Sequence, residues 1–112
     1  MKIQLEEVTN HIPAGDYQGT IIEQNESSDG KYLWLKIKVE DLDIDFNVSI
    51  SLGGVMFYNY AKYFIDDDGE VDTEDFLYTE ILFSVADKKI GANVYSRLTK
   101  LNPVFEEEVE KD

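Results

Sequence analysis

Hydrophobic and polar residues alternate with a period of two along most of the chain, which is typical of β-strands that bury one face. Residues 31–40 alternate most strictly. One face of this predicted strand is apolar and carries Leu33, Leu35, Ile37 and Val39. The opposite face is more polar and carries Tyr32, Trp34, Lys36 and Lys38. Similar runs at 17–24 and 43–51 flank this one, and Asp29-Gly30 marks the first turn. In the third run we expect the inward residues to be Ile44, Phe46, Val48 and Ile50 and the outward ones to be Asp43, Asp45, Asn47 and Ser49.

The period changes after Gly53-Gly54. Residues 55–64 have the spacing of an amphipathic helix. Its apolar stripe consists of Phe57, Tyr60, Ala61 and Phe64. Two more strands are predicted at 76–86 and 93–101, with a turn at 86–91 between them. Three strands, a helix and two strands is the element order of the OB-fold, a five-stranded Greek-key barrel.

We therefore predict an all-β domain with one helix, in the order β-β-β-α-β-β. Closure into an OB-fold-like barrel is favoured because it removes the exposed edges of short strands. An open antiparallel sheet with the helix packed on it is the competing architecture.

The chain of 112 residues has the size of one domain, which we assign to residues 1–105, with an acidic C-terminal tail at 106–112. It has no Cys and a single His, His11, which excludes a disulfide framework, a thiol nucleophile and a Cys-based zinc site. No apolar run reaches the roughly 20 residues of a membrane span. The first seven residues lack a signal-peptide core, so we expect a cytoplasmic protein.

Charge limits the classes of partner. The chain carries 24 acidic and 10 basic residues, a net charge of -14 at pH 7, and such a field repels polyanions at long range. The positions of the bases therefore matter more than their number. Most of them fall in the second strand, in the fifth strand and in the turn at 86–91 between the fourth and fifth strands. They are Lys31, Lys36, Lys38, Lys88, Lys89, Arg97 and Lys100.

Aromatic rings accompany these cations. The candidate nucleic-acid-binding residues are Tyr32, Trp34, Lys36, Lys38, Lys88, Lys89, Tyr95 and Arg97. Rings stack on bases, which contributes roughly 1–3 kcal/mol per base in single-strand binders, and cations neutralise phosphates. In the competing interpretation the rings only cover the sheet beneath the helix or a loop. The two lysines of the second strand then pair across the ladder with Asp43 and Asp45.

Other motifs point away from catalysis. The acidic loop 66–72 has the composition of a calcium loop, but with Gly69 in sixth place it would begin at Phe64, whose side chain has no ligand oxygen. We therefore expect a solvated loop and no metal. Gly53-Gly54 lacks the Lys-Ser/Thr of a phosphate loop. Without a recognisable nucleophile–base pair, neither a cofactor nor an enzymatic activity is predicted.

Several short motifs resemble a small family of phage and mobile-element proteins. They are Ile12-Pro13-Ala14-Gly15-Asp16-Tyr17, Lys31-Tyr32-Leu33-Trp34-Leu35-Lys36-Ile37-Lys38-Val39, Asp72-Thr73-Glu74-Asp75-Phe76-Leu77, Asn93-Val94-Tyr95-Ser96-Arg97-Leu98 and Asn102-Pro103. That family resembles single-stranded DNA-binding proteins with an OB-fold. The resemblance implies single-stranded DNA binding in replication or recombination, carried by the face of the second strand. This chain departs from the family at Tyr78, where related sequences tend to show Gly.

Two functional hypotheses follow. The first is a non-catalytic single-stranded DNA-binding protein, for which a homodimer would lengthen the roughly 4–16 nucleotides that one OB-fold holds. The alternative is an acidic protein-interaction module, a DNA mimic or phage-type inhibitor, that offers carboxylates to a basic protein groove. In either case the acidic tail is a solubilising end or a segment that recruits a protein partner.

Overall fold

The computed structural model describes residues 8–104, most of which belong to one sheet and one short α-helix. The strands are β1 (Val8–Thr9), β2 (Gly15–Glu26), β3 (Tyr32–Val39), β4 (Ile44–Ser51), β5 (Glu80–Ile90) and β6 (Asn93–Pro103). Between β4 and β5 lie α1 (Val55–Ala61) and the 3₁₀ helices Lys62–Phe64 and Thr73–Phe76. The prediction of a mostly β fold with one α-helix is confirmed for these residues. The predicted acidic tail at 106–112 lies outside them.

The sheet runs in the order β1-β4-β3-β2-β5-β6, with β2 to β6 joined by antiparallel pairing and β1 parallel to β4. Among the described strands the ladder stays open, because β1 and β6 lie at its two ends. The segment after β1 nevertheless reaches β6. The Ser96 backbone N–H donates a hydrogen bond of 3.0 Å to the Asn10 carbonyl oxygen. The Ser96 hydroxyl accepts one of 2.9 Å from the Ile12 N–H. Strand pairing alone therefore does not show the predicted closure.

The alternation predicted for β3 is present, since its four apolar side chains are each at most 2% exposed.

β2 lies between β3 and β5 and pairs with both. It approaches β3 so closely at Gly19 that a Cβ atom there would lie 2.7 Å from both the Ile37 Cγ2 atom and the Lys38 carbonyl oxygen. Only glycine fits this approach without displacing a backbone.

α1 and the two 3₁₀ helices cover one end of the core. Phe76 is fully buried, and its ring contacts the rings of Tyr60 and Phe64 edge-on with centroids 5.0 Å apart in both pairs. The stripe predicted along 55–64 is therefore the packed side of this segment, although the α-helix itself ends at Ala61. No helix within residues 8–104 has the length and apolar character needed to cross a membrane.

The start of the fourth predicted strand is wrong, because β5 begins at Glu80 and not at residue 76. Asp72 caps the preceding 3₁₀ helix by accepting a hydrogen bond of 3.0 Å from the Glu74 N–H. Tyr78 then takes a left-handed φ of 64°, which is incompatible with a strand. A Gly at this position would adopt this conformation without steric cost.

Two further expectations are wrong. β5 continues through Ile90, so that the predicted turn at 86–91 is mostly strand and the chain reverses at Gly91-Ala92. Alternation is invisible in this part of the sequence because both faces of the hairpin are exposed or polar. Asp45, predicted to face outward, is only 8% exposed because β1 pairs with β4 there, at Val8, and covers the strand edge.

Candidate nucleic-acid interface

An open groove of about 410 Å³ separates the outer face of β3 and β4 from the β5–β6 hairpin. We call it the main groove. β3 and β4 contribute Tyr32, Trp34, Asn47, Val48, Ser49 and Ser51, the hairpin contributes Lys88, Ile90, Tyr95, Ser96 and Arg97, and the segment after β1 contributes Asn10. Rings, amides, hydroxyls and cations therefore meet on one side of the molecule.

Strand register explains why the hairpin side chains meet. Directly opposite residues of an antiparallel pair have their side chains on the same face. Lys88 is opposite Tyr95, and Arg97 lies two residues further along β6, so these three share the face that lines the main groove. Lys89 is opposite Val94 and lies on the other face. The hairpin thus brings one of the two predicted lysines to the groove.

The rings of Tyr32 and Trp34 are open to solvent, with 46% and 49% of these residues exposed. Their partners across the β3–β4 ladder are Ser51 and Ser49, whose small side chains leave the ring faces uncovered. The prediction that the sole indole faces solvent is confirmed. Within residues 8–104 neither the helix nor a loop covers these rings, unlike in the competing arrangement.

The turn before β3 fixes the position of Tyr32. The Asp29 carboxylate accepts hydrogen bonds of 2.6 Å from the Ser27 hydroxyl and 3.0 Å from the Lys31 N–H. These two bonds hold the pKa of Asp29 below its usual value. The Ser27 hydroxyl also accepts from the Tyr32 N–H at 3.1 Å. Tyr32, the first residue of β3, therefore follows a turn that is held by hydrogen bonds of the Ser27 and Asp29 side chains.

The lining of the main groove contains two cations and no carboxylate among the described residues, in a chain of net charge -14. Neither Lys88 nor Arg97 forms an ion pair with any residue from 8 to 104. Both are exposed and directed to the groove face. The local charge of this site is thus opposite to that of the whole chain.

A second depression of about 330 Å³ adjoins the main groove and shares Trp34 and Asn47 with it. It also contains Lys36, whose Nζ lies 3.5 Å from the Glu23 Oε2 atom. The charge of this lysine is therefore offset by a neighbouring carboxylate. The two depressions form one continuous track along the outer face of β3, basic at the hairpin end and nearly neutral at the other.

Lys38 lies further along β3, outside the lining of both depressions. Its Nζ is 3.5 Å from the Asp43 Oδ1 atom, which is one of the pairs expected in the competing interpretation. The other lysine pairs with a different carboxylate, Glu23 and not Asp45. Exposed pairs of this length contribute at most about 1 kcal/mol and exchange readily with other anions.

Of the residues predicted from the sequence, the main groove therefore brings together Tyr32, Trp34, Lys88, Tyr95 and Arg97. Lys36 lies in the adjoining depression, whereas Lys38 and Lys89 line neither. The groove is also lined by residues that were not predicted as binding residues, among them Asn10, Asn47, Ser49, Ser51 and Ile90. The outward positions of Asn47 and Ser49 in the third run were the available signal, because they face the same way as the rings.

The segment that carries Asn10 is fastened to the hairpin by side chains. His11 Nε2 and Asp87 Oδ1 are 2.9 Å apart, and the Ser96 hydroxyl donates to the Ile12 carbonyl oxygen at 3.1 Å. Asp87 lies on the hairpin face opposite to Lys88, so its carboxylate is directed to this segment and not to the main groove.

In the acidic loop, the Asp66 carboxylate accepts hydrogen bonds from the backbone N–H groups of Asp68 and Glu70, at 2.8 and 3.0 Å. It is therefore engaged by the backbone. Within residues 8–104 no group of three or more His, Asp or Glu side chains is arranged to hold a metal ion.

No protein-family model matches this chain. No match was found among the curated proteins.

Proposed function

We propose that this protein binds single-stranded DNA, without catalysis, in the main groove. The observation that carries the proposal is the lining itself, which combines three rings and two cations with no carboxylate among the described residues. Tyr32, Trp34 and Tyr95 stack on bases, and Lys88 and Arg97 neutralise phosphates. Asn47, Ser49 and Ser51 supply hydrogen-bonding groups on the neighbouring strand β4.

The spacing of the rings suits an extended strand. Residues two apart in a β-strand are separated by about 6.6 Å, twice the rise per residue. Tyr32 and Trp34 are related in this way, so that successive bases can each lie against one ring. Because every base has an aromatic face, such stacking tolerates any sequence. We therefore expect little discrimination among bases.

The proposal includes an OB-fold-like architecture, in which the outer face of the second and third long strands and the hairpin between the last two form the binding surface. This architecture would use β3, β4 and the β5–β6 hairpin, the elements that supply most of the lining of the main groove. The hydrogen bond from Ser96 to Asn10 supports closure of the barrel through the segment after β1, because it joins the two ends of the sheet.

Affinity should fall as salt rises, because the cations that contact phosphates release condensed counterions. Each phosphate neutralised on a single strand contributes about 0.7 to the slope of log K against log salt concentration. With Lys88 and Arg97 as the principal contacts, we expect a slope near 1.4 in magnitude, roughly twice that of one contact. A protein that attracted DNA by bulk charge would give a steeper slope.

The test is titration of oligo(dT) into the protein at about 20 mM salt, where screening is weak. Because Trp34 is the only Trp, its fluorescence reports directly on the groove. We expect quenching on binding, and Tyr95→Ala should weaken binding about 5- to 150-fold, the equivalent of one stacked base. Tyr58→Ala is the matched control, since Tyr58 is an exposed ring on α1 outside the main groove. Absence of both quenching and a mobility shift would remove the proposal.

The alternative of an acidic module that mimics DNA makes the opposite prediction for charge. Neutralising Asp67 and Asp68 in the acidic loop should abolish capture of a basic partner if the protein is a mimic. In a DNA-binding protein the same change should leave oligo(dT) binding unchanged or improve it, because repulsion falls. Oligo(dT) binding separates the two functions, because a mimic does not bind oligo(dT) with or without this change.

A further inference from the structure

A third depression, of about 360 Å³, lies beside α1 and shares no lining residue with the main groove. We call it the helix depression. Its apolar lining consists of Leu52, Phe57, Tyr58, Ala61, Ile65 and Val71. Its volume falls within the range of roughly 300–1,000 Å³ that ligand pockets occupy. It is therefore large enough to receive big apolar side chains.

Apolar residues at this site are presented to solvent. Tyr58 is 63% exposed and Ile65 is 46% exposed, and Val55, at the start of the same helix, is 74% exposed. Single exposed apolar residues are ordinary, but a contiguous group around a concavity marks an interaction site. The exposed group here continues from the helix into the loop that follows it.

An acidic loop borders the helix depression. Ile65 and Val71 both line it, and the residues between them include Asp67, Asp68 and Glu70, all exposed. Hydrogen bonds from the backbone to the Asp66 carboxylate hold this loop in one shape. The loop that carries these carboxylates therefore borders an apolar concavity, to which it contributes Ile65, Gly69 and Val71. Among the described residues, Lys62 is the one charged residue of the lining itself, and the carboxylates lie in the loop beside it.

We propose that the helix depression docks a basic segment of another protein, which inserts large apolar side chains and places Lys or Arg against the acidic loop. Charge complementarity identifies this occupant. Nucleic acid is disfavoured because phosphates would face Asp67, Asp68 and Glu70. A second copy of the chain is disfavoured by its net charge of -14. The proposal stands independently of DNA binding, since the two surfaces share no lining residue.

The probe is a fluorescein-labelled synthetic peptide of alternating lysine and leucine or phenylalanine. A charge-matched peptide, with serine in place of every apolar residue, is its control. We expect the control peptide to bind about tenfold or more weakly, because the apolar anchors supply most of the affinity. Amide chemical shifts of the full-length protein should change at residues 52–71 and stay constant at Tyr95 and Arg97. Equal binding of both peptides, or shifts confined to other surfaces, would overturn the proposal.

Variants sharpen the test. Ile65→Ser should weaken peptide binding about tenfold, whereas Leu82→Ser, at a similarly exposed position on β5, should not. The double change Asp67→Asn and Asp68→Asn should weaken binding and flatten its salt dependence. Glu40→Gln with Asp41→Asn alters the net charge equally at a distant turn and should have little effect.

Ile65→Ser should also leave oligo(dT) quenching unchanged, so that failure of this proposal is distinguishable from failure of DNA binding. Equal peptide affinity in Ile65→Ser and Leu82→Ser would show attraction by net charge alone and would sink the docking surface. Concentration-dependent dimerisation, abolished by Ile65→Ser, would assign the helix depression to a second copy and would overturn the proposed partner.

Discussion

Replacing Glu23 with Gln tests how strongly the carboxylates beside the groove restrain its lysines. The Lys36 Nζ atom lies 3.5 Å from Glu23 Oε2, and the lysine side chain is only 22% exposed against 58% for the glutamate. Lys36 is therefore held in place by packing, and removing the carboxylate charge should leave it at the end of the track. An exposed pair contributes at most about 1 kcal/mol, so the fold should be retained.

The expected size of the effect follows from counterion release. With its carboxylate neutralised, Lys36 can pair with one additional phosphate, which adds about 0.7 to the salt slope for a single strand. The affinity ratio of Glu23→Gln to the parent protein should therefore change about fivefold for each tenfold change in salt, with the variant tighter at low salt. No comparable gain is expected from Lys38, because that residue lies outside both depressions.

The assay is Trp34 quenching by oligo(dT) between about 20 and 200 mM salt, spanning roughly one decade of counterion concentration. Glu40→Gln is the control, since it makes the same change in net charge at an exposed position beyond β3. If both variants shift affinity equally and leave the slope unchanged, then only overall charge matters. The contact assigned to Lys36 would be refuted.

Three predictions concern stability, and thermal unfolding checks each, since about 1 kcal/mol moves Tm by roughly 4–8 °C in a domain near this size. Gly19→Ala should destabilise by about 1–3 kcal/mol, because its Cβ would meet the β3 backbone, whereas Gly53→Ala, with open space around it, should be nearly neutral. An unchanged Tm for Gly19→Ala would contradict the close approach. Tyr78→Gly should stabilise by about 1 kcal/mol by relieving a left-handed φ of 64°, and a lower Tm would show that the exposed ring contributes more than the strain costs. Tyr60→Phe should be neutral or stabilising by about 1 kcal/mol, because the Tyr60 hydroxyl is buried with no well-formed hydrogen bond to any residue from 8 to 104.

Tyr60 also gives a pH dependence. Burial raises the pKa of its hydroxyl, and the Thr79 side chain opposes this only in part, without a hydrogen bond of good geometry. Above about pH 10 an unfolded tyrosine loses its proton while the folded protein keeps it. The contribution of Tyr60 is therefore complete below about pH 10 and is lost as pH rises further. Urea unfolding at pH 9 to 11 should show a shallower decline for Tyr60→Phe, and identical declines would contradict the burial argument.

Local patterns in the sequence carried enough information for β3 and for the packed stripe of α1. In β3 each inward residue is apolar and each outward one is polar or aromatic, so the faces were unambiguous and the exposure of Trp34 followed. The hairpin was harder, because Lys88 and Lys89 lie in the last part of β5, where no residue is buried on either face. Its length is set by pairing with β6, a contact that period-two patterns do not encode.

The groove was predictable on one wall only. Tyr32 and Trp34 are neighbours on one strand, so their shared face is a local property. Asn10 enters from a segment more than eighty residues away in sequence from Ser96, to which it is hydrogen-bonded. The two residues of β1 are too few to show alternation, so this strand was not predicted. The burial of Asp45, which pairs with β1, was therefore not predicted either. Such convergence depends on tertiary pairing and not on spacing along the chain.

The indole belongs to both depressions along β3, and this has a consequence for optical experiments. A fragment too short to span the track can still touch Trp34 from either side, so the quench amplitude should saturate with the smallest oligonucleotides that bind. Affinity should keep rising with oligonucleotide length until the strand covers the whole track. Two oligonucleotide lengths would then differ: the one at which the quench amplitude saturates and the longer one at which affinity stops rising. Their difference measures, in nucleotides, how far the bound strand extends beyond the indole.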